Sequence, residues 1–346
     1  MMITLKDIAI KTGIDTGSIS RVLNNHPKAM ELKAETRARI HQCARAMGYA
    51  RNEIARSMVT GRNDVIAFIS PDTGTWEFTG KIMSGILEET TRYGFAVKVY
   101  HLTHNTSDNI IRQLIEQRVA GIIFHSGKST DFDLIRHEAD KKNIPSATVN
   151  LSSGDSGISI ASDDFQGIKK AVQYLAGLGH HRISYISNES GLEFAVNREN
   201  GFIAAMNEYI SNCGNLQIAY GINTESDENH QPIKSLLSAS KDKRPTAIIC
   251  YSDYIACDVL QVAYQMGIKV PEDLSVIGFA DLDVAKHAVI PLTTMAQPFE
   301  QMGKDATNML IEVIKNKKVD IPDKAQNIKL EVRLVVRKST APPKNI

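Results

Sequence analysis

Residues 12–25 read TGIDTGSISRVLNN. Gly13 supplies a tight turn, Ile14 is the turn's apolar residue, and Asp15 stands where a carboxylate caps a helix running to about Asn24. Within that helix Ile19, Val22 and Leu23 share one face at i, i+3 and i+4, which leaves Thr16, Gly17, Ser20 and Arg21 near the other. Such a face offers little to a protein core and much to the edge of a base pair. Upstream, Thr4 precedes LKDIAIK with Asp7 three residues on, so a hydroxyl cap and a returning carboxylate start a first helix that ends at about Thr12. Downstream, a third helix spans about Leu32 to Met47, with Ile40, Cys43, Ala44 and Met47 inward and Gly48 as its stop. The pattern predicts a helix-turn-helix whose second helix lies in a major groove with its N-terminal residues against base edges.

Charge agrees with that reading. The chain carries +1 overall, but residues 1–62 hold eleven Lys/Arg against five acids, a net of +6 that leaves −5 for residues 63–346. A basic head on a mildly acidic body suggests a polyanion at the head, where neutralised phosphates release counterions. With 346 residues and 42% apolar content, the chain has room for a large core and two or three domains. No apolar run approaches the roughly 18 residues that span a bilayer, and no apolar export segment opens the chain, so a cytoplasmic protein without a membrane partner is expected. Cys43, Cys213, Cys250 and Cys257 are scattered without zinc-finger spacing and read as reduced core thiols.

The helical pattern continues through TLKDIAIKTGIDTGSISRVLNN and ETRARIHQCARAMGY to RNEIARSMVTGR. On these residues the chain resembles the lactose/galactose-repressor (LacI/GalR) family of bacterial transcription factors, and the resemblance covers essentially its whole length. It implies that Thr16, Gly17 and Arg21 contact bases, Arg21 as a bidentate donor to guanine. Gly17 departs from the larger residue more often found there, which implies a weaker or shifted preference at one base. Thr4, Ser18, Ser20 and Asn24 are implied phosphate contacts, with helix capping as the alternative role. RNEIARSMVTGR is similar to the family's hinge helix, which places Ala55 and Met58 in the minor groove. Met58 stands at the wedge position where leucine is usual, and Arg51 where proline is usual. An ordinary linker helix is the alternative. The implied partners are a pseudo-palindromic double-stranded DNA operator, a small-molecule effector and a second copy of the chain, paired through the first lobe. STAPPKNI at the end carries no apolar heptads, so a coiled-coil tetramer is not expected.

From Val65 the chain alternates strand-like runs (VIAFIS, AVKVYHL, AGIIFHS, PSATVN) with helical stretches, and the order repeats after residue 160 through RISYIS, LQIAYGI, TAIICYS and SVIGFA. Alternation of this kind predicts parallel sheets flanked by helices. The expected fold class is therefore an α/β two-lobed core, periplasmic-binding-protein-like as the resemblance implies, preceded by a small all-α helix-turn-helix domain. The expected domains are 1–50 for the helix-turn-helix, 51–62 for the hinge and 63–346 for the core. Its first lobe takes about 63–161 plus 292–322, its second about 162–291 plus 323–340. KLEVRLVVR reads as one core strand.

Two facing lobes bind ligands at the carboxyl ends of their strands. The strand ends supply Asp72, Trp76 and Phe78 in DTGTWEF, then His125 and Asn150. By resemblance, Arg198 in EFAVNRENGF is the ligand-clasping arginine, and Ser252 and Asp253 match the family's asparagine–aspartate pair, although Asp253 could cap the next helix instead. Asp281 in GFADLD follows Ala280, where the family usually has an acid or amide pair. A sugar or sugar derivative is the expected effector, with a nucleobase or nucleoside acting as corepressor the alternative; neither a cofactor nor a metal is expected. An enzyme is disfavoured because GLGHHR follows a helix rather than a strand, and no GxSxG elbow or P-loop occurs. A secreted sugar-binding protein would share the body but has no use for residues 1–60.

Overall fold

The computed structural model describes residues 3–24, 27–49, 63–72, 77–103, 105–125, 129–150, 157–187, 191–210, 217–220, 230–241, 243–316 and 326–344. The chain divides into two compact units, Met1–Asn63 and Asp64–Ile346.

The small unit contains α1 (Leu5–Thr12), α2 (Thr16–Leu23), a 3-10 turn at Pro27–Glu31, and α3 (Ala34–Ala46). The expected capping box is present at α1: Asp7 N–H donates to Thr4 Oγ1 (3.4 Å) and Thr4 N–H donates to Asp7 Oδ2 (2.8 Å). Gly13 takes φ +67°, a left-handed conformation that costs a glycine little, and lets the chain reverse into Asp15. Asp15 Oδ1 accepts the Ser18 N–H at 2.8 Å. Ile8, Ile19, Val22, Ile40 and Ala44 bury the inner faces of the three helices. The third helix starts at Ala34 rather than Leu32 because Lys33, with φ −54° and ψ 142°, is not helical and stands at its N-cap.

The large unit opens with β1 (Val65–Ser70), α4 (Glu77–Tyr93), β2 (Ala96–His101), α5 (Ser107–Glu116), β3 (Gly121–His125), α6 (Ser129–Asp140), β4 (Ser146–Val149) and β5 (Ile158–Ser162). It continues with α7 (Asp164–Gly177), β6 (Ile183–Ile186), α8 (Glu193–Tyr209), β7 (Gln217–Ala219), α9 (His230–Leu237), β8 (Ala247–Cys250), α10 (Asp253–Gln265), β9 (Ser275–Ala280) and α11 (Asp283–His287). Then follow β10 (Thr293–Ala296), α12 (Phe299–Asn316), β11 (Gln326–Leu330) and β12 (Arg333–Val335). Among the described residues the strands form two six-stranded sheets, ordered β11-β5-β4-β3-β1-β2 and β12-β10-β9-β8-β6-β7. All pairings are parallel except β10 with β12. Central strands such as β3 and β9 are buried along their whole length, as strands covered on both faces must be. No helix among the described residues is long and apolar enough to cross a membrane.

The chain passes between the sheets three times. The first passage runs from Ser162 to Asp164. The other two differ from expectation. Leu292 is sealed in the second lobe's core and Thr293–Ala296 pairs with β9, so that lobe extends past 292 and the passage falls before Phe299. KLEVRLVVR is not one strand: Gln326–Leu330 pairs with β5 in the first sheet and Arg333–Val335 with β10 in the second. The third passage is thus at Glu331–Val332, after the expected boundary at 322–323, which lies outside the described residues.

Two helix pairs pack through glycine. A Cβ at Gly85 of α4 would fall on the Glu300 carbonyl of α12, and one at Gly303 of α12 on the Ile82 carbonyl of α4. In the second lobe a Cβ at Gly201 of α8 would meet the Phe165 backbone of α7. Past β12, the tail returns over the second sheet. Ser339 Oγ donates to the Val276 carbonyl (2.6 Å) and accepts the Thr293 N–H (2.8 Å). His180 Nε2 donates to the Ala341 carbonyl at 2.9 Å, which leaves Nδ1 to accept the Thr246 hydroxyl at 2.8 Å.

Candidate functional site

On the small unit, α2 presents Thr16, Gly17, Arg21 and Asn24 to solvent. The implied phosphate contacts divide. Ser18 is 5% exposed and its Oγ accepts from Arg21 Nη2 at 3.1 Å, so it steadies the guanidinium rather than standing on the surface itself. Ser20 Oγ accepts from Asn24 Nδ2 at 3.1 Å. The Thr4 hydroxyl is engaged with Asp7, donating to Oδ2 at 2.7 Å, which is the capping alternative. Those bonds hold the Asp7 and Asp15 carboxyls below the usual range, chiefly through Thr4 and Ser18 respectively. A Cβ at Gly17 would lie 3.1 Å from Asp15 Oδ1, so a side chain there crowds the cap. That is a local reason for the glycine. Ala55, Met58 and Arg51 lie outside the described residues.

Between the lobes of the large unit lies a cavity of about 150 Å³. From the first lobe and its α12 it is lined by Phe78, Asn150 and Phe299, and from the second by Phe194, Arg198, Tyr251, Ser252, Tyr254, Phe279, Ala280 and Leu282, with Gln297 at the passage. A second cavity of about 220 Å³ shares Asn150 and Phe194 with it and adds Ser162, Asp164, Asn197 and Lys329. The structure thus brings together four of the expected residues: Phe78, Asn150, Arg198 and Ser252. Asn150 sits at φ +60° with its Oδ1 buried and, among the described residues, without a hydrogen-bond partner, an acceptor that a ligand donor would satisfy. Ser252 also caps α10 by accepting the Ile255 N–H at 3.4 Å. Trp76 lies outside the described residues.

The remaining expectations are corrected by burial and bonding. Asp253 is 0% exposed; its Oδ2 accepts the Leu282 N–H at 2.8 Å and its Oδ1 the Thr294 hydroxyl, so it neither caps the helix nor reaches the cavity. Burial pushes its carboxyl up to about 6. Asp281 accepts from Arg337 Nη2 at 2.6 Å, away from the cavity lining. Asp72 accepts the Thr79 hydroxyl at 2.6 Å. His125 is fully buried behind Phe78, with ring centroids 5.9 Å apart. Arg198 lines the cavity but clasps protein: Nε donates to Asp164 Oδ1 (3.1 Å), Nη1 to the Tyr251 carbonyl (2.7 Å) and Nη2 to Gln297 Oε1 (3.1 Å). The Phe279 ring lies 3.9 Å beneath the guanidinium and Phe194 5.0 Å from it. Since Asp164 ends the first passage and Gln297 lies in the second, Arg198 ties two of the connecting segments together.

Sequence reasoning missed Gln297, Asp164 and the aromatic lining from Phe194, Tyr251, Tyr254, Phe279 and Phe299. Gln297 carried a signal, since it directly follows strand TTMA. Tyr251, directly after β8, carried the same one; Phe194, Tyr254, Phe279 and Phe299 lie within helices or strands, where an aromatic reads as packing.

The arrangement has counterparts among known proteins. Residues 4–52 match the model for bacterial regulatory proteins of the lacI family, and residues 172–340 match that for the periplasmic binding protein-like domain. The chain is 30% identical over 349 residues to the HTH-type transcriptional regulator DegA of Bacillus subtilis (strain 168), covering 99% of each. It is 28% identical over 338 residues to the HTH-type transcriptional repressor CytR of Escherichia coli (strain K12), covering 95% of each. The crystal structure of the Lac repressor dimer bound to operator and the anti-inducer ONPF superposes with a TM-score of 0.76 at 22% identity, over 99% of this chain and all (100%) of that one. The fold is therefore Lac repressor-like.

Proposed function

The chain belongs to the LacI family of bacterial regulatory proteins, and from that premise we propose that it is a sequence-specific DNA-binding regulator, a repressor, governed by a small molecule held between its lobes. The observation that carries this reading is the outer face of α2: Thr16, Gly17 and Arg21 are exposed on a capped helix in a head of net charge +6. Base edges are read by such donors at the N-terminal end of a recognition helix, while the surrounding positive charge supplies affinity for any duplex. Two copies of the chain on a pseudo-palindromic operator follow from the symmetry of such sites. Met58 and Ala55 are the residues proposed for the minor groove at its centre.

The effector in this reading is a small ring compound with an apolar face. Phe78 and Phe299 offer one aromatic wall and Phe194 and Phe279 the other, with Asn150, Ser252 and Gln297 as polar contacts. A sugar or sugar derivative satisfies both. A nucleobase or nucleoside is the second reading, favoured because Asp253, Asp281 and Arg198, the groups suited to paired hydroxyls, are already bonded within the protein. Reciprocity requires an inducer to bind the DNA-bound form more weakly and a corepressor to bind it more tightly. Selection of genomic fragments on the purified protein, with and without cell extract, should return a palindrome; random fragments under both conditions would refute the reading. A thermal-shift screen of sugars against nucleosides separates the two effector classes, because a ligand of the native state raises its apparent stability.

A further inference from the structure

One contact across the cleft is complete without any ligand. Glu77 and Lys81, in the first turns of α4 on the first lobe, pair at 2.5 Å. Opposite them, the segment 280–283 joins β9 to α11 on the second lobe. Its Ala280 and Asp281 adopt φ of +124° and +59°, left-handed conformations that L side chains occupy only when their surroundings hold them there. Within the second lobe the Leu282 N–H donates to Asp253 Oδ2 (2.8 Å), and Arg337 Nη2 donates to Asp281 Oδ1 (2.6 Å). These bonds turn two backbone groups outward to the other lobe. The Asp283 N–H donates to Glu77 Oε2 at 2.8 Å, and Lys81 Nζ donates to the Asp281 carbonyl at 3.3 Å.

We propose that Glu77 and Lys81 form a ligand-independent catch on segment 280–283 that holds the two lobes together at the edge of the cleft. An i,i+4 ion pair on a helix surface contributes little by itself. Here the pair is the scaffold, and the holding bonds run from charged side chains to a backbone whose shape is fixed by Asp253 and Arg337. The resting angle between lobes is then set by α4 rather than left to the effector, and a ligand must enter against, or be retained by, this catch. Phe78 and Leu282, each next in sequence to a catch residue, line the cavity, so opening here uncovers it.

Amide hydrogen exchange on the full-length protein, with neither DNA nor ligand added, tests the catch. Breaking one charge-assisted hydrogen bond of this kind shifts a two-state equilibrium about tenfold. Glu77→Ala should therefore accelerate exchange about tenfold in peptides from both walls of the cleft, including Asn150 and the start of α8, which belong to neither α4 nor segment 280–283. Glu77→Gln, which keeps an acceptor, should stay near the wild type. If Glu77→Ala does not fold, Lys81→Met makes the same test through the other bond. Acceleration confined to residues 281–288 would mean a local contact only and overturn the proposal, as would no change at all. The bearing on DNA affinity rests on the regulatory reading above; this measurement does not, so either can fail alone.

Discussion

His125 sits sealed between Phe68 and Phe78, with its Nδ1 3.1 Å from Ser70 Oγ. The Ser70 hydroxyl donates its one hydrogen to the Asp72 carbonyl at 2.6 Å, so Nδ1 carries the imidazole proton and donates to Ser70. Nε2 is left without a proton and, among the described residues, without a partner, and burial pulls the imidazole down to about 4. A base whose folded pKa lies below its unfolded value binds fewer protons folded than unfolded between the two. Stability is therefore full above about 6.5 and declines as pH falls toward 4. Moving from pH 7 to pH 5 should cost the wild type about 2 kcal/mol through this group, and His125→Phe should remove that part of the loss in urea titrations. Asp253 acts in the opposite sense: its carboxyl, raised to about 6, binds more protons folded, so it lowers stability as pH rises from about 4 to 6. At the other end of the chain, Arg21→Ala should lower affinity for the selected operator by about 1–3 kcal/mol and affinity for random duplex much less, measured by fluorescence anisotropy at fixed salt. Equal losses on both would remove Arg21 from base readout.

The helix contacts are where packing outweighs local propensity. Gly85 and Gly303 let the backbones of α4 and α12 touch, each glycine against a carbonyl of the other helix. Gly85→Ala should destabilise by about 1–3 kcal/mol or more, because the obstructing atom is main chain and cannot swing aside. Gly80, in the same helix, has no described residue within 4 Å of its missing Cβ, so Gly80→Ala should be neutral or gain up to about 1 kcal/mol from propensity. Denaturation midpoints for the two variants compare close approach with intrinsic preference inside one element. Caps and turns were legible in the sequence for the same reason that these contacts were not. Thr4 with Asp7 and Asp15 with Ser18 are partners three residues apart, whereas Gly85 meets Glu300 only after the chain has folded.

For the molecule as a whole, the alternation of strands and helices made two parallel sheets legible, and the caps, turn and apolar spacing of the head made the helix-turn-helix so. The later passages between lobes were not legible, because LEVRLVV alternates in the same way whether it stays in one sheet or changes to another. The cleft was half legible. Phe78, Asn150, Arg198 and Ser252 fall at strand ends or in a recognisable motif, but whether a carboxylate faces a ligand or a neighbouring amide depends on tertiary bonds, and Asp253 faces Leu282. The returning tail gives a further test at this scale. Truncation after Val336 removes Ser339, which is 0% exposed, and the Ala341 carbonyl that His180 binds. It should lower the unfolding midpoint of the second lobe's cleft-lining peptides in thermal hydrogen-exchange experiments; an unchanged midpoint would make the tail dispensable.

The interleaved passages also constrain how the protein is made. The first sheet lacks its edge strand until residues 326–330 are synthesised, and the second lacks β12 until 333–335. During translation, then, the first sheet leaves the edge of β5 uncovered from residue 162 until residue 330, and the second leaves that of β10 uncovered from residue 296 until residue 335. A nascent chain of this design depends on chaperones more than one whose domains follow one another in order, and a premature stop near codon 325 should yield aggregate rather than one intact lobe.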